Sequence, residues 1–312
     1  MRVVIALGGN ALQRRGEPAG PEPQRRNLRL AAEAVAAVAR RHEVVVTHGS
    51  GPQVGWLAMR TAGAGGMPAY PLDMLDAGAE GMIGYQLEQA LANLLPGRAL
   101  ATLLTQVEVA ADDPAFRHPD KPIGPLLRED EAQALARRLG WRLAAEAGGW
   151  RRVVASPRPL RIVELPAIRA LLDAGTLIVC VGGGGIPVAL GEEGGIHGVE
   201  AVIDKDRAAA LLAHELRADA LLLLTDVDAV YRGWGTPGAT PIRRASPVEL
   251  SCLEFAPGSM APKVEAACAF VRGGGRLAGI GRLEDAAAVL AGKAGTRVTG
   301  NQQAAPTRSP PW

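Results

Sequence analysis

The chain has 312 residues, 48% of them apolar, and its 34 basic and 32 acidic residues leave a net charge of +2. So even a balance argues against nucleic acid or an anionic membrane as the main partner, and the apolar share suffices for one large domain or two smaller ones. No apolar run reaches membrane-spanning length, and the three cysteines (Cys180, Cys252, Cys268) show no CxxC spacing, which predicts a cytoplasmic protein with buried or incidental thiols.

The opening MRVVIALGGN has one arginine and five apolar residues before a Gly-Gly-Asn turn, too short for a secretory leader. VVIAL (3–7) reads as a buried strand, LRLAAEAVAAVARR (28–41) as a helix and VVVT (44–47) as a second strand. MIGYQLEQALANLL (82–95) has helical periodicity, and LATLLTQV (100–107) is strand-like. Residues 112–158 break the rhythm with proline, charge and tryptophan, which predicts an inserted, protruding subdomain or lid. There follow AIRALLDAG as a helix stopped by Gly175, LIVCVG as a strand and DRAAALLAHEL as a helix. ALLLLTDV (strand), APKVEAACAFVRGG (helix, with Pro262 as its first residue) and RLAGIG (strand) complete the pattern. Residues 299–312 carry no core pattern and read as a disordered tail. Continuous apolar strands joined by amphipathic helices predict a doubly wound α/β fold with a mostly parallel sheet. In such folds ligands bind at the carboxyl ends of the strands.

Three strands run into glycine there: Gly8-Gly9-Asn10, His48-Gly49-Ser50-Gly51 and Gly182-Gly183-Gly184-Gly185. Glycine lets backbone N–H groups approach an anion unobstructed. One such cluster would be an ordinary turn, but three on one predicted edge point to a phosphate or carboxylate site. No G-x-x-x-x-G-K-[ST] loop is present, and the Gly182–Gly185 run is followed by Pro187 rather than a helix, a weak dinucleotide fingerprint.

Of the basic residues only Lys121, Lys205, Lys263 and Lys293 are lysine; all the others are arginine. Lys205 and Lys263 fall in the first turns of predicted helices, Lys205 behind Asp204 as N-cap. Lysine is disfavoured at that positive end, whereas a polyphosphate is favoured. Lys121 sits on a proline-stiffened loop of the insertion, a position equally suited to a substrate contact and to plain solvent exposure. Lys293 reads as an exposed turn. LLLLTDVDAVY ends a buried strand in Thr-Asp-x-Asp, whose carboxylates would orient a lysine, contact a ribose or cap the turn. Gly78, Gly81 and Gly84 recur at three-residue spacing and predict a helix face for close packing.

Taken together, these segments resemble the carbamate kinases of the amino acid kinase superfamily. IALGGNAL, HGSGPQVG, EGMIGYQLEQAL, DPAFRHPDKPIGP, RRVVASPRP, VGGGGIPV, GVEAVIDKD, LLTDVDAVY and GSMAPKVEAA occur in the family's order across residues 2–298. The resemblance implies a three-layer αβα sandwich, a homodimer, and reversible phosphoryl transfer between Mg²⁺-bound ATP and carbamate, running toward ATP in arginine catabolism. It implies an acceptor-binding lobe over about residues 1–195, carrying the subdomain 112–158, and a nucleotide lobe over about 196–298. Gly8, Gly9, Asn10, Gly49, Ser50, Gly51 and Gly182, Gly183 and Gly184 would hold the carbamoyl end and the transferred phosphoryl group. Lys121, Lys205 and Lys263 would neutralise phosphate charge, with Asp204 or Asp206 orienting them. Thr225, Asp226, Val227, Tyr231, Gly258, Ser259 and Met260 would form the nucleotide pocket beside Lys205 and Lys263. No protein metal ligands are implied. The chain departs from the pattern at Ser50, where the family carries asparagine. It departs again at Gly148-Gly149, where an arginine is missing that Arg151, Arg152 or Arg158 would have to replace. A kinase for another carboxylate and a non-catalytic binder of nucleotide or carbamoyl phosphate are the alternative readings.

Overall fold

The computed structural model describes residues 1–12, 17, 20–61, 69–146, 148–255 and 260–300, with Asn10 and Ala11 by backbone only. In chain order, β1 (Arg2–Leu7), α1 (Gly9–Leu12), α2 (Pro21–Ala39), β2 (Glu43–His48), α3 (Gly51–Thr61), α4 (Leu72–Leu94) and β3 (Leu100–Thr102) come first. Next are β4 (Gln106–Val109), β5 (Lys121–Leu127), α5 (Glu129–Leu139), β6 (Arg142–Glu146), β7 (Gly149–Val154), β8 (Pro159–Ile162), α6 (Leu165–Asp173) and β9 (Leu177–Val179). β10 (Ile186–Leu190), β11 (Ile196–Gly198), α7 (Lys205–Glu215), β12 (Ala220–Thr225), β13 (Val230–Arg232), β14 (Thr240–Ile242) and β15 (Arg244–Ala245) follow. The last elements are α8 (Pro247–Ser251), α9 (Met260–Arg272), β16 (Leu277–Arg282), α10 (Ala286–Leu290) and β17 (Thr296–Val298).

The main sheet has the order β15-β17-β16-β12-β1-β2-β9-β3. The strands from β16 to β3 are parallel to one another, and β17 runs antiparallel to β16. Side chains alternate across this sheet, as the pleat requires. Val3, Ile5 and Leu7 of β1 join one core with α2, α4 and α10, and Val4 and Ala6 join the other with α6, α7 and α9. Apolar on both faces, the strands need helices on both sides, and three αβα layers result.

Chain order reverses direction at β1: β2, β9 and β3 lie on one side of it, β12 and β16 on the other. The crevice between the carboxyl ends of β1 and β12 is the switch point where such folds bind ligands. Three smaller sheets stand apart: β11-β10-β4-β8, β13-β14 and β5-β7-β6. The last, with α5, carries Lys121 at its first residue. It crosses α3 at a glycine–glycine contact, where a Cβ on Gly55 would lie 2.0 Å from Gly124 Cα.

Several boundaries differ from expectation. The helices at 28–41 and 82–95 begin earlier, at Pro21 and Leu72. The strand expected over 100–107 divides, β3 entering the main sheet and β4 a different one, with buried Thr105 between. α9 is already helical at Met260, so Pro262 is not its first residue. Gly78, Gly81 and Gly84 do not share one face, because three-residue steps drift around a helix of 3.6 residues per turn. Gly84 is buried against Thr102, while Gly78 is exposed. The tail from 301 onward lies outside the described residues.

Candidate active site

The glycine turns converge because their backbones touch. Gly8 follows β1, and its N–H donates to Leu224 O at 2.8 Å. A Cβ there would meet the same oxygen at 2.9 Å. A Cβ on Gly49, which follows β2, would lie 3.0 Å from Gly9 N and 3.4 Å from Lys205 Cδ. No side chain fits between these strands, so the backbone lines the crevice with Lys205 against it. The Gly182–Gly184 turn follows β9 and is equally crowded. Added Cβ atoms would lie 2.4 Å from His48 Nε2, 2.3 Å from Ser50 Oγ and 2.4 Å from Ile203 O in turn. The 182–184 turn therefore packs on the 48–50 turn and on the segment leading into α7.

Lys121, Lys205 and Lys263 meet at the start of α7. Asp204 caps this helix: Oδ1 accepts from the N–H groups of Asp206 and Arg207 at 3.0 and 3.1 Å. Its Oδ2 accepts from Lys121 Nζ at 3.0 Å, across 83 residues of sequence. Asp206 accepts from Lys205 through one oxygen and from Lys263, on α9, through the other at 3.1 Å. Two carboxylates thus gather three ammonium groups from three elements. Burial pulls the Lys205 pKa down and Asp206 opposes that shift. Burial raises the Asp204 carboxyl, but Lys121 and Lys205 outweigh it and hold that group well below the usual carboxylate range. The cluster is preorganised positive charge at a helix N-terminus, the arrangement that stabilises phosphoryl groups.

The other expected residues fall less evenly. Thr225 ends β12 at the crevice, with Oγ1 bonded to Asp226 Oδ1 at 3.0 Å. Val227 is half-buried and Asp226 exposed in the turn beyond. Tyr231 OH donates to Asp228 at 2.8 Å, and Arg243 also reaches Asp228. Asp228 therefore serves Tyr231 and Arg243, and the lysine-holding carboxylates are Asp204 and Asp206 rather than the Thr-Asp-x-Asp pair. Met260 starts the described part of α9. Gly258, Ser259 and the Asn10 side chain lie outside the described residues. In the 112–158 subdomain, Arg151 pairs with Glu146 at 3.1 Å, and Arg152 stacks 4.5 Å over Trp141.

Three groups beside the glycine turns were missed by the sequence reading. Glu80 of α4 accepts from Gly182 N–H at 2.7 Å and Thr105 N–H at 3.1 Å, yet burial lifts its carboxyl to about 8. The fully buried His48 imidazole is pushed down to about 4 by burial. Asp76, one helical turn before Glu80, is 2% exposed. The run DAGAEG gives small and acidic residues with no local sign of burial. The partners of Glu80 lie 25 and 102 residues downstream.

A glycine-lined switch-point crevice with three converging ammonium groups defines a site for phosphoryl transfer. The chain belongs to the Amino acid kinase family, which matches it over residues 1–280. Within that family its likeness is to carbamate kinases. The carbamate kinase of Rhizobium meliloti (strain 1021) is 52% identical over 302 residues, spanning 96% of this chain and 93% of the relative. Carbamate kinase from Giardia lamblia bound to citric acid superposes with a TM-score of 0.90 at 40% identity, over 96% of this chain and 98% of that one. The same enzyme bound to AMP-PNP gives 0.87 at 40% identity, over 96% and 98%.

Proposed function

We infer that the protein is a carbamate kinase, transferring a phosphoryl group reversibly between ATP and carbamate to give ADP and carbamoyl phosphate. The observation that carries this reading is the meeting of Lys121, Lys205 and Lys263 on Asp204 and Asp206 at the glycine crevice. Phosphoryl transfer asks for in-line positioning and charge neutralisation rather than a covalent nucleophile. Gly8, Gly9, Asn10, Gly49, Ser50, Gly51 and the Gly182–Gly184 turn hold the acceptor end. Thr225, Asp226, Val227, Tyr231, Gly258, Ser259 and Met260 border the nucleotide. Lys205 and Lys263 exchange part of their contact with Asp206 for phosphate oxygens. Lys121 brings the third charge from the 112–158 lid. The acceptor lobe covers about residues 1–195 and the nucleotide lobe about 196–298.

Among the described residues, no three His, Cys, Asp or Glu side chains gather as a metal site. Mg²⁺ enters with the nucleotide, coordinated by phosphates and water, which suits a cation that keeps much of its hydration. In the ADP-phosphorylating direction the enzyme makes ATP in the cytoplasm, at the end of arginine breakdown. Among the described residues no helix is long and apolar enough to cross a membrane.

The protein works as a homodimer joined along α4. Met74, Met82 and Tyr85 expose large apolar surfaces on that helix, with Leu104 beside the edge strand β3. Large apolar side chains exposed along one helix are the kind of surface that associates.

The deciding experiment measures ATP formation from ADP, Mg²⁺ and carbamoyl phosphate in a coupled hexokinase assay. Rapid turnover that disappears in Lys205→Ala is the expected result. ADP binding without turnover would replace this reading with a kinase for another acceptor or a binding protein.

A further inference from the structure

Asp76 has no role in the reaction as described so far. It lies in α4 at 2% exposure, and neither carboxyl oxygen has a hydrogen-bond partner among the described residues. Ser50, at 1% exposure, has an equally unpartnered Oγ. Both stand over the same backbone: a Cβ added to Gly183 would lie 2.3 Å from Ser50 Oγ and 3.6 Å from Asp76 Oδ1. Glycine at 183 leaves that space open. Buried polar groups are almost always bonded, so an unpaired hydroxyl and an unpaired carboxyl flanking one open space mark a place built for donors.

Carbamate and carbamoyl phosphate differ from acetate and acetyl phosphate in one group: a planar NH₂ stands where the methyl would be. The NH₂ offers two donors and the methyl none. We propose that Asp76, together with Ser50, accepts hydrogen bonds from the amino group of the acceptor and makes the site selective for carbamoyl over acyl groups. This rests on the carbamate kinase reading and deepens it. Burial, then Glu80, raises the Asp76 pKa well above the carboxylate range, while Lys121 pulls the other way. A neutral carboxyl still keeps an accepting oxygen and adds one O–H donor, matching the N–H and oxygen edge of carbamate. A methyl in that position would leave the oxygens unpaired, the arrangement that rejects an analogue most strongly.

The test compares kcat/KM for ADP phosphorylation with carbamoyl phosphate and with acetyl phosphate. Asp76→Leu keeps the side-chain shape and removes both oxygens. The expected result is a carbamoyl-to-acetyl preference reduced by about ten-fold or more, through loss of the carbamoyl rate alone, with partial rescue in Asp76→Asn. A preference unchanged in Asp76→Leu, whether both rates fall together or neither does, overturns the assignment. Should Asp76→Leu fail to fold, Asp76→Asn and Ser50→Ala decide, and an unshifted preference in both overturns it equally. Wild-type protein inactive with either donor would remove the carbamate kinase reading and this assignment with it. Wild-type activity with an unshifted preference removes this assignment alone.

Discussion

Asp206 at the start of α7 and Asp76 near the start of α4 are buried to the same degree, 3% and 2% exposed. Asp206 spends both oxygens on Lys205 and Lys263, while Asp76 bonds to nothing in the described chain. The difference separates two ways of building one site. Around Asp206 the protein supplies both charges itself, so the lysines are fixed before a phosphate arrives. Around Asp76 only half of a recognition element is built, and the other half is a substrate group. Under the proposed function, the first arrangement serves catalysis by preorganisation and the second selectivity by an unmet bond.

The comparison can be broken at either end, and the largest effect lies with the lysines. Lys263→Ala should lower turnover in the coupled assay by about 10²–10³-fold, the loss typical of one charge-stabilising donor. Unchanged circular dichroism would show that the fold survived. Asp206→Ala should cost about 3–5 kcal/mol in urea unfolding, because it strands the buried Lys205 ammonium. Asp76→Leu should move stability the other way, by about 1–3 kcal/mol of gain, because it removes a buried group that no protein donor satisfies. If both aspartate variants destabilise alike, the contrast between the two regions fails. A gain in stability coupled to a loss of carbamoyl preference would sharpen it.

Glu80 gives a finer test through pH. The unfolded chain releases this proton near the ordinary 4.5, whereas the folded protein holds it to about 8. Its contribution is therefore complete below about 4.5, declines as pH rises, and levels off above about 8. In melting curves taken across that range, Glu80→Gln should flatten the decline. A slope identical to wild type would show that Glu80 is charged in the folded state. The smallest effect belongs to the exposed Arg128–Asp130 pair at 2.7 Å. Arg128→Ala should change stability by under about 0.5 kcal/mol, which calibrates the others.

Much of the positive half of the site was legible in the sequence. Lysine is rare here, so Lys121, Lys205 and Lys263 stood out, and Asp204 carried the local signature of an N-cap. Glycine runs after apolar strands located the crevice, since strand ends and turns are local features. The acceptor side was far less legible. Asp76 and Glu80 sit in a helix whose residues read as packing, and Glu80 bonds to Gly182 across 102 positions. His48 reads as the start of a glycine turn, and nothing local announces its full burial. The division of 100–107 between two sheets is likewise a tertiary decision. A run of apolar residues does not state which sheet it will join.

Asp204 binds the start of α7 with one oxygen and Lys121 with the other. A single side chain is therefore both the cap of a helix and the tie that holds the 112–158 subdomain against it. Only aspartate meets both demands in this geometry. Glutamate would reach too far to cap in the same geometry, asparagine would put a donor against the lysine, and serine would cap but fall short of it. The position is pinned by two unrelated requirements at once, and asparagine or serine there would keep the helix end while releasing the lysine.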